Sequence, residues 1–210
     1  MASLRDDSVL VIVDGGLESL VASLLAEPRE KAVSWFVGGS PEESDYRRTA
    51  ARMQAELLGL GSIREPADGA DFWTSLPGGL GEAAMLLAGV NEVIQSGLTR
   101  LLWPKHASGD LDSMLDGADR ALLIQRLGLI EQQRLGTPGL RIDTPLIDLS
   151  DLQVADLAVD LDAPVWSCWW AMPNAVDLGA ADAERRRWTD ALKHVGGERL
   201  LTRHGRSDAA

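Results

Sequence analysis

The residues best suited to chemistry are Asp14-Gly15-Gly16-Leu17-Glu18-Ser19. They end an unbroken apolar run, Val9-Leu10-Val11-Ile12-Val13, and open a stretch where Leu17, Leu20, Val21, Leu24 and Leu25 recur at helical spacing. A β-branched run of this kind reads as a strand buried on both faces of a parallel sheet. The six residues are then the glycine turn between that strand and a helix. The first helical turn leaves backbone N–H groups unpaired in front of the positive end of the helix dipole, an arrangement that binds anions, phosphate above all. Asp14 and Glu18 could add Mg²⁺, a hard cation that takes carboxylate and phosphate oxygens together. No Gly-Lys-Ser/Thr follows, so this is not a Walker loop, and the glycine spacing of the dinucleotide fingerprint is missing. An ordinary Gly-Gly turn between strand and helix fits the same residues.

Other candidates sit further along. Trp166, Trp169 and Trp170 flank Cys168; such rings stack on bases for about 1–3 kcal/mol each, or else form core or interface. His106 beside Lys105 could be a general acid–base pair, or simply a loop histidine. Asp110, Asp112, Asp116 and Asp119 lack the glycine and terminal glutamate of a calcium loop and read as a solvated loop. Arg185-Arg186-Arg187 reads as a solvated helix face.

The elements that must position these groups alternate. Lys31–Val37 reads as a second strand, and Ser40-Pro41-Glu42-Glu43 as a helix start whose helix runs to Gly59. Ser62–Pro66 reads as a short strand. Pro77-Gly78-Gly79 breaks the chain before a helix over Gly81–Ser96. Arg100–Trp103 is a strand, His106–Gly117 a loop, and Ala118–Leu135 a long helix. Ser150 caps a helix carrying Leu152, Val154, Leu157 and Leu161. Ala163–Ser167 is a last strand and Ala180–Val195 a last helix. This alternation predicts one α/β domain over residues 1–202, with a parallel sheet covered on both faces, and a polar tail over 203–210.

Composition sets limits. A chain of 210 residues with 45 % hydrophobic and 25 % charged residues is ordinary for a globular domain. Its net charge of −12 argues against non-specific nucleic-acid binding. A single cysteine excludes a disulfide framework and suits a reducing compartment. MASLRDDS is too polar for a signal peptide, and no run approaches membrane-spanning length. The expectation is a cytoplasmic protein that meets neither nucleic acid nor membrane.

The glycine turn resembles the Ser-Gly-Gly-x-Asp-Ser pyrophosphate loop of the N-type ATP pyrophosphatases. A second stretch, Arg141–Ala171, resembles the C-terminal signature of one branch, the 7-cyano-7-deazaguanine synthases. It carries Thr144-Pro145-Leu146, Leu149-Ser150-Asp151, Ala163-Pro164-Val165 and Trp166-Ser167-Cys168 in the family's order. Pro77-Gly78 also stands where that family has Pro-Gly-Arg-Asn. The resemblance implies a five-stranded parallel sheet of the adenine nucleotide alpha-hydrolase-like, Rossmann-like kind, and a homodimer. It implies ATP and Mg²⁺ as cofactors at residues 14–19. It also implies a deazaguanine-like ligand against Pro77, Gly78, Trp166 and Trp169. In the family, ATP activates the carboxylate of 7-carboxy-7-deazaguanine, which is amidated and dehydrated to the nitrile.

The departures from the family pattern are informative. Asp14 replaces the serine that would donate to a phosphate oxygen. Two like charges about 4 Å apart repel by roughly 4 kcal/mol at an effective dielectric near 20, more than the roughly 1–2 kcal/mol that a helix N-terminus offers. Asp151 replaces a lysine, although an acid is also favourable at a helix start. The family's zinc cysteines are missing, leaving Cys168 alone, so no zinc is expected and the thiol reads as a small buried residue. Phe36-Val37-Gly38-Gly39-Ser40-Pro41 replaces Asp-Tyr-Gly-Gln-Arg-His, and Gly79-Leu80 replaces Arg-Asn. Two readings follow. One is a divergent synthase-like enzyme that positions an adenylyl transfer by electrostatics, with no catalytic side chain identifiable. The other is a degenerate homologue serving as a structural or partner-binding subunit.

Overall fold

β1 (Val9–Val13) lies inside a parallel sheet of order β2-β1-β3-β4, with β2 (Ala32–Phe36) on one side and β3 (Arg100–Leu102) on the other. β4 (Arg141–Asp143) forms the far edge. The computed structural model describes residues 8–27, 31–61, 63–65, 76–77, 79–135, 139–175 and 178–202. Registers run Val9↔Ala32, Val9↔Arg100 and Arg100↔Arg141. Among the described residues six α-helices cover the sheet: α1 (Leu17–Leu25), α2 (Pro41–Leu58), α3 (Gly79–Gln95), α4 (Leu111–Leu135), α5 (Asp151–Asp160) and α6 (Gly179–His194).

Every residue of β1 is buried because the strand feeds two cores. Val9, Val11 and Val13 face α1, α5 and α6, together with Trp169, Trp170 and Trp188. Leu10 and Ile12 face α3 and α4, with Trp35, Leu86, Val90 and Leu101 around them. Alternate side chains of one strand thus fill both layers.

The sheet has four strands, and two expected strands are corrected. The stretch expected over Ser62–Pro66 is reduced to a single parallel bridge between Arg64 and Trp35, with Ser62 and Pro66 outside the described residues. Arg64 N–H donates to the Ser34 carbonyl at 2.9 Å, and the Arg64 carbonyl accepts from Phe36 N–H at 2.8 Å. Ala163–Ser167 is not a strand. Pro164 has no N–H for a ladder, and Val165–Ser167 winds into a 3₁₀ turn.

The long helix starts earlier than the acids suggested. Asp110 accepts Asp112 N–H on its side chain at 3.2 Å and Met114 N–H on its carbonyl at 2.9 Å. An aspartate in that role is a helix cap, so Asp112, Asp116 and Asp119 lie on α4 and not in a loop.

α5 begins as expected, at a capping box. Ser150 Oγ accepts Gln153 N–H at 3.4 Å, and Gln153 Oε1 accepts Ser150 N–H at 2.8 Å. Ser150→Ala removes one half of this reciprocal pair and should cost about 1 kcal/mol. Thermal unfolding should then show a midpoint about 2–4 °C lower; an unchanged midpoint would mean that the cap contributes nothing.

No helix among the described residues is long and apolar enough to cross a membrane.

Candidate functional site

β1, β2 and β3 all end at one cleft. It lies where the chain order reverses across the sheet, the crevice in which open α/β sheets bind ligands. The cleft encloses about 270 Å³ and is lined by residues that include Asp14, Gly16, Glu18, Arg47, Trp103 and Trp169. Glu82, Lys105, His106 and Glu184 complete its polar wall. Four carboxylates therefore face Arg47, Lys105 and one histidine.

The glycine turn is built as an anion cradle, and it holds one of its own side chains. Gly16, the residue before α1, donates its N–H to Asp14 Oδ1 at 2.9 Å. Asp14 Oδ2 accepts from Arg47 Nη1 at 2.9 Å. Arg47 also donates from Nε to Glu43 at 2.9 Å, and its guanidinium lies 4.1 Å from the ring centre of Trp169. The carboxylate of Asp14 thus occupies a backbone donor and the adjacent cation that a phosphate would use. Ser19 is fully buried and turned inward, its hydroxyl donating to the Gly16 carbonyl at 3.2 Å. Leu17 is core. The Gly15 carbonyl accepts from Trp169 N–H at 3.0 Å and from Gln54 Nε2 at 3.2 Å, tying the turn to what lies beneath it.

A second ion-pair centre borders the cleft, and its hub is Arg187. Its guanidinium grips Asp151 with two hydrogen bonds of 2.8 Å, the fork geometry that makes Arg–carboxylate pairs strong. It also donates to Glu18 at 3.3 Å and Ser108 at 2.7 Å, and lies 4.4 Å from the ring centre of Trp188. His106 Nδ1 is 3.0 Å from Arg187 Nη2. The hydrogen bonds from Arg187 hold the Asp151 carboxyl below its ordinary value, against the opposing effect of burial. Glu184 moves the other way: burial, and then the charge of Glu18, raises its carboxyl. Trp188 Nε1 donates to Glu184 at 2.8 Å.

The structure brings together Asp14, Gly16, Glu18, Lys105, His106 and Trp169 of the residues singled out in the sequence. Pro77 lines a different groove, beside Leu80 and Arg120; Trp166 is half-buried and does not line the cleft; and Gly78 is outside the described residues. Arg187 corrects an expectation, since it is an ion-pair hub and not part of a solvated face. Its neighbour Arg186 is solvated, paired only to Asp182. The spacing Glu184, Arg187, Trp188 was the available signal, because positions three and four apart share one face of a helix. Arg47 and Glu82 carried no local signal, and each is placed by a helix distant in sequence. Cys168 is fully buried, accepts from Gln54 at 3.8 Å, and is held as a neutral thiol, burial raising it well above its ordinary value.

The carboxylates of the turn and of the cleft wall are engaged by partners within the chain. Asp14 is committed to Gly16 and Arg47, Glu18 to Arg187, and Glu82 to Lys105 and Arg120 at 2.5 Å each. Among the described residues, no three His, Cys, Asp or Glu side chains are grouped to hold a metal ion. In comparisons with known proteins, no family model matches the chain and no curated protein matches it significantly.

Proposed function

We propose that this chain is a degenerate relative of the 7-cyano-7-deazaguanine synthases, a structural or partner-binding subunit that does not hydrolyse ATP. One observation supports the reading: the Asp14 carboxylate accepts from Gly16 N–H and from Arg47, donors of the kind that a phosphate at such a turn would use. An internal anion already in place excludes an external one twice over. It takes the donors, and at about 4 Å it repels each phosphate charge by roughly 4 kcal/mol. Cation chemistry offers no easy rescue, because Glu18, the second carboxylate of the turn, is bound to Arg187. What persists is the scaffold: a parallel sheet, a cleft at its carboxyl edge and a rigid turn beneath it.

Calorimetry with ATP, and separately with inorganic pyrophosphate, tests this with Mg²⁺ present. The wild type should give no binding heat up to millimolar ligand. Asp14→Ser frees Gly16 N–H and the Arg47 guanidinium and removes the repulsion, so affinity should rise by about a hundredfold or more. Micromolar binding of ATP by the wild type, or no gain in the variant, would refute the reading.

A further inference from the structure

Of the large apolar side chains left exposed among the described residues, most lie on α3 and α4, and seven lie on α4 alone. Those on the two helices are each 45–63 % exposed. Leu123, Leu127 and Ile130, each about half exposed, stand together on one face of α4, and exposed apolar residues grouped in this way mark interaction surfaces. The surface continues into a groove of about 580 Å³ between α3 and α4, lined by Leu87, Ile94, Leu127 and Ile130.

The order of residues along α4 says what covers it. Asp119, Leu123, Leu127, Ile130 and Arg134 follow one another at spacings of four, four, three and four, so they share one face of the helix. All five are exposed. The face has an acid at one end, three apolar residues in the middle and a base at the other end. Against a parallel copy, acid would meet acid and base would meet base. Against an antiparallel copy, Leu123 meets Ile130, and Asp119 meets Arg134 at both ends. The stripe is complementary to itself in that one direction, the condition for an isologous two-fold interface. Arg134 already pairs within its own helix, to Glu131 at 2.9 Å, so it would be shared at a rim where water remains.

We propose that α4 is a self-docking surface: the Asp119-to-Arg134 face of one chain packs antiparallel on the same face of a second copy, with leucines entering the α3–α4 groove. This surface is opposite in kind to the cleft and independent of whether ATP binds.

Analytical ultracentrifugation provides the test. The wild type should sediment near twice the chain mass of 22.6 kDa at tens of micromolar. Leu123→Glu, at an exposed position and with its fold checked by circular dichroism, should raise the dissociation constant about a hundredfold. Leu57→Glu and Leu152→Glu, at exposed leucines on α2 and α5, should leave it unchanged. Asp119→Arg and Arg134→Asp should each weaken the dimer about tenfold at low salt, the loss that antiparallel pairing requires and parallel pairing does not, and an equimolar mixture of the two should regain wild-type affinity, since each chain then meets the opposite charge at both ends. A wild type that stays monomeric throughout leaves the face to a different protein and ends the proposal. A dimer indifferent to Leu123→Glu, or a mixture no tighter than its components, does the same.

Discussion

Arg187→Met should lower the melting temperature by about 5–10 °C near pH 7, and by progressively less as pH falls below 3.8. Methionine keeps the packing on Trp188 while removing the charge. Without the guanidinium, Asp151 loses both its 2.8 Å hydrogen bonds, Glu18 loses its donor, and Glu184 stands near Glu18 with no cation between them. Removing one partner of a buried pair costs about 3–5 kcal/mol. The side chains of Arg187 and Asp151 are 29 % and 32 % exposed, so solvent screening reduces this to about 2–3 kcal/mol. At about 2–4 °C per kcal/mol for a chain of this length, the shift follows.

The pH dependence comes from two carboxyls displaced in opposite directions. Asp151 lies below its ordinary 3.8 in the fold because Arg187 binds its charged form. It therefore contributes stability that is present above pH 3.8 and fades as pH falls through the lower folded value. Glu184 lies above its ordinary 4.5, chiefly through burial. It favours the fold most below pH 4.5, and that advantage fades as pH rises through the folded value. Removing Arg187 abolishes the first contribution and strengthens the second. The variant's stability maximum should therefore move to acid, and its deficit against wild type should shrink below about pH 4. Arg187→Lys, which keeps a charge but not the fork, should fall between the two. Melting curves of the three proteins across pH 2.5–8 decide it; an equal deficit at pH 2.5 and pH 7 would mean that Arg187 acts through packing alone.

The local signals in the sequence were faithful where one element settles its own structure. An apolar β-branched run gave β1, a Ser-Pro-Glu-Glu start gave α2, and Ser150 as a cap gave the start of α5. They failed where a remote partner decides. Arg64 joins the sheet only through Trp35, a bridge too short to show a pattern of its own. Asp110 resembles loop residues until its carboxylate is seen capping α4. The site divides in the same way. The glycine turn was legible because backbone geometry demands it, and the conflict at Asp14 was legible as charge. Its resolution was not, since Arg47 arrives from a helix 33 positions away. Asp151, readable as a favourable acid at a helix start, proves also to be the main partner of Arg187.

Gly15→Ala should destabilise strongly, costing about 2–5 kcal/mol and roughly 4–20 °C in melting temperature. Gly15 has φ +77°, and a Cβ there would lie 2.5 Å from the Arg47 carbonyl oxygen and 2.9 Å from Ala50 Cβ. The left-handed backbone costs an L-residue about 1–2 kcal/mol. The clash falls on α2 backbone, which cannot rotate away, and overpacking of this kind adds about 1–3 kcal/mol. Two other glycines separate these causes. Gly59 also has positive φ, +65°, but nothing within 4 Å, so Gly59→Ala should cost only about 1–2 kcal/mol. Gly16 has φ −83°, and a Cβ there would meet only the carboxylate tips of Asp14 and Glu18, at 3.1–3.4 Å. Gly16→Ala should cost less than about 1 kcal/mol. If Gly15→Ala unfolds no more easily than Gly59→Ala, the close approach of α2 is not a constraint. The expected order has a consequence for function. The first glycine is fixed by the packing of α2 against the turn, whatever the turn binds. A lineage can lose triphosphate and still keep the glycine that once suggested it. The residue that discriminates is Asp14, whose charge no packing argument requires.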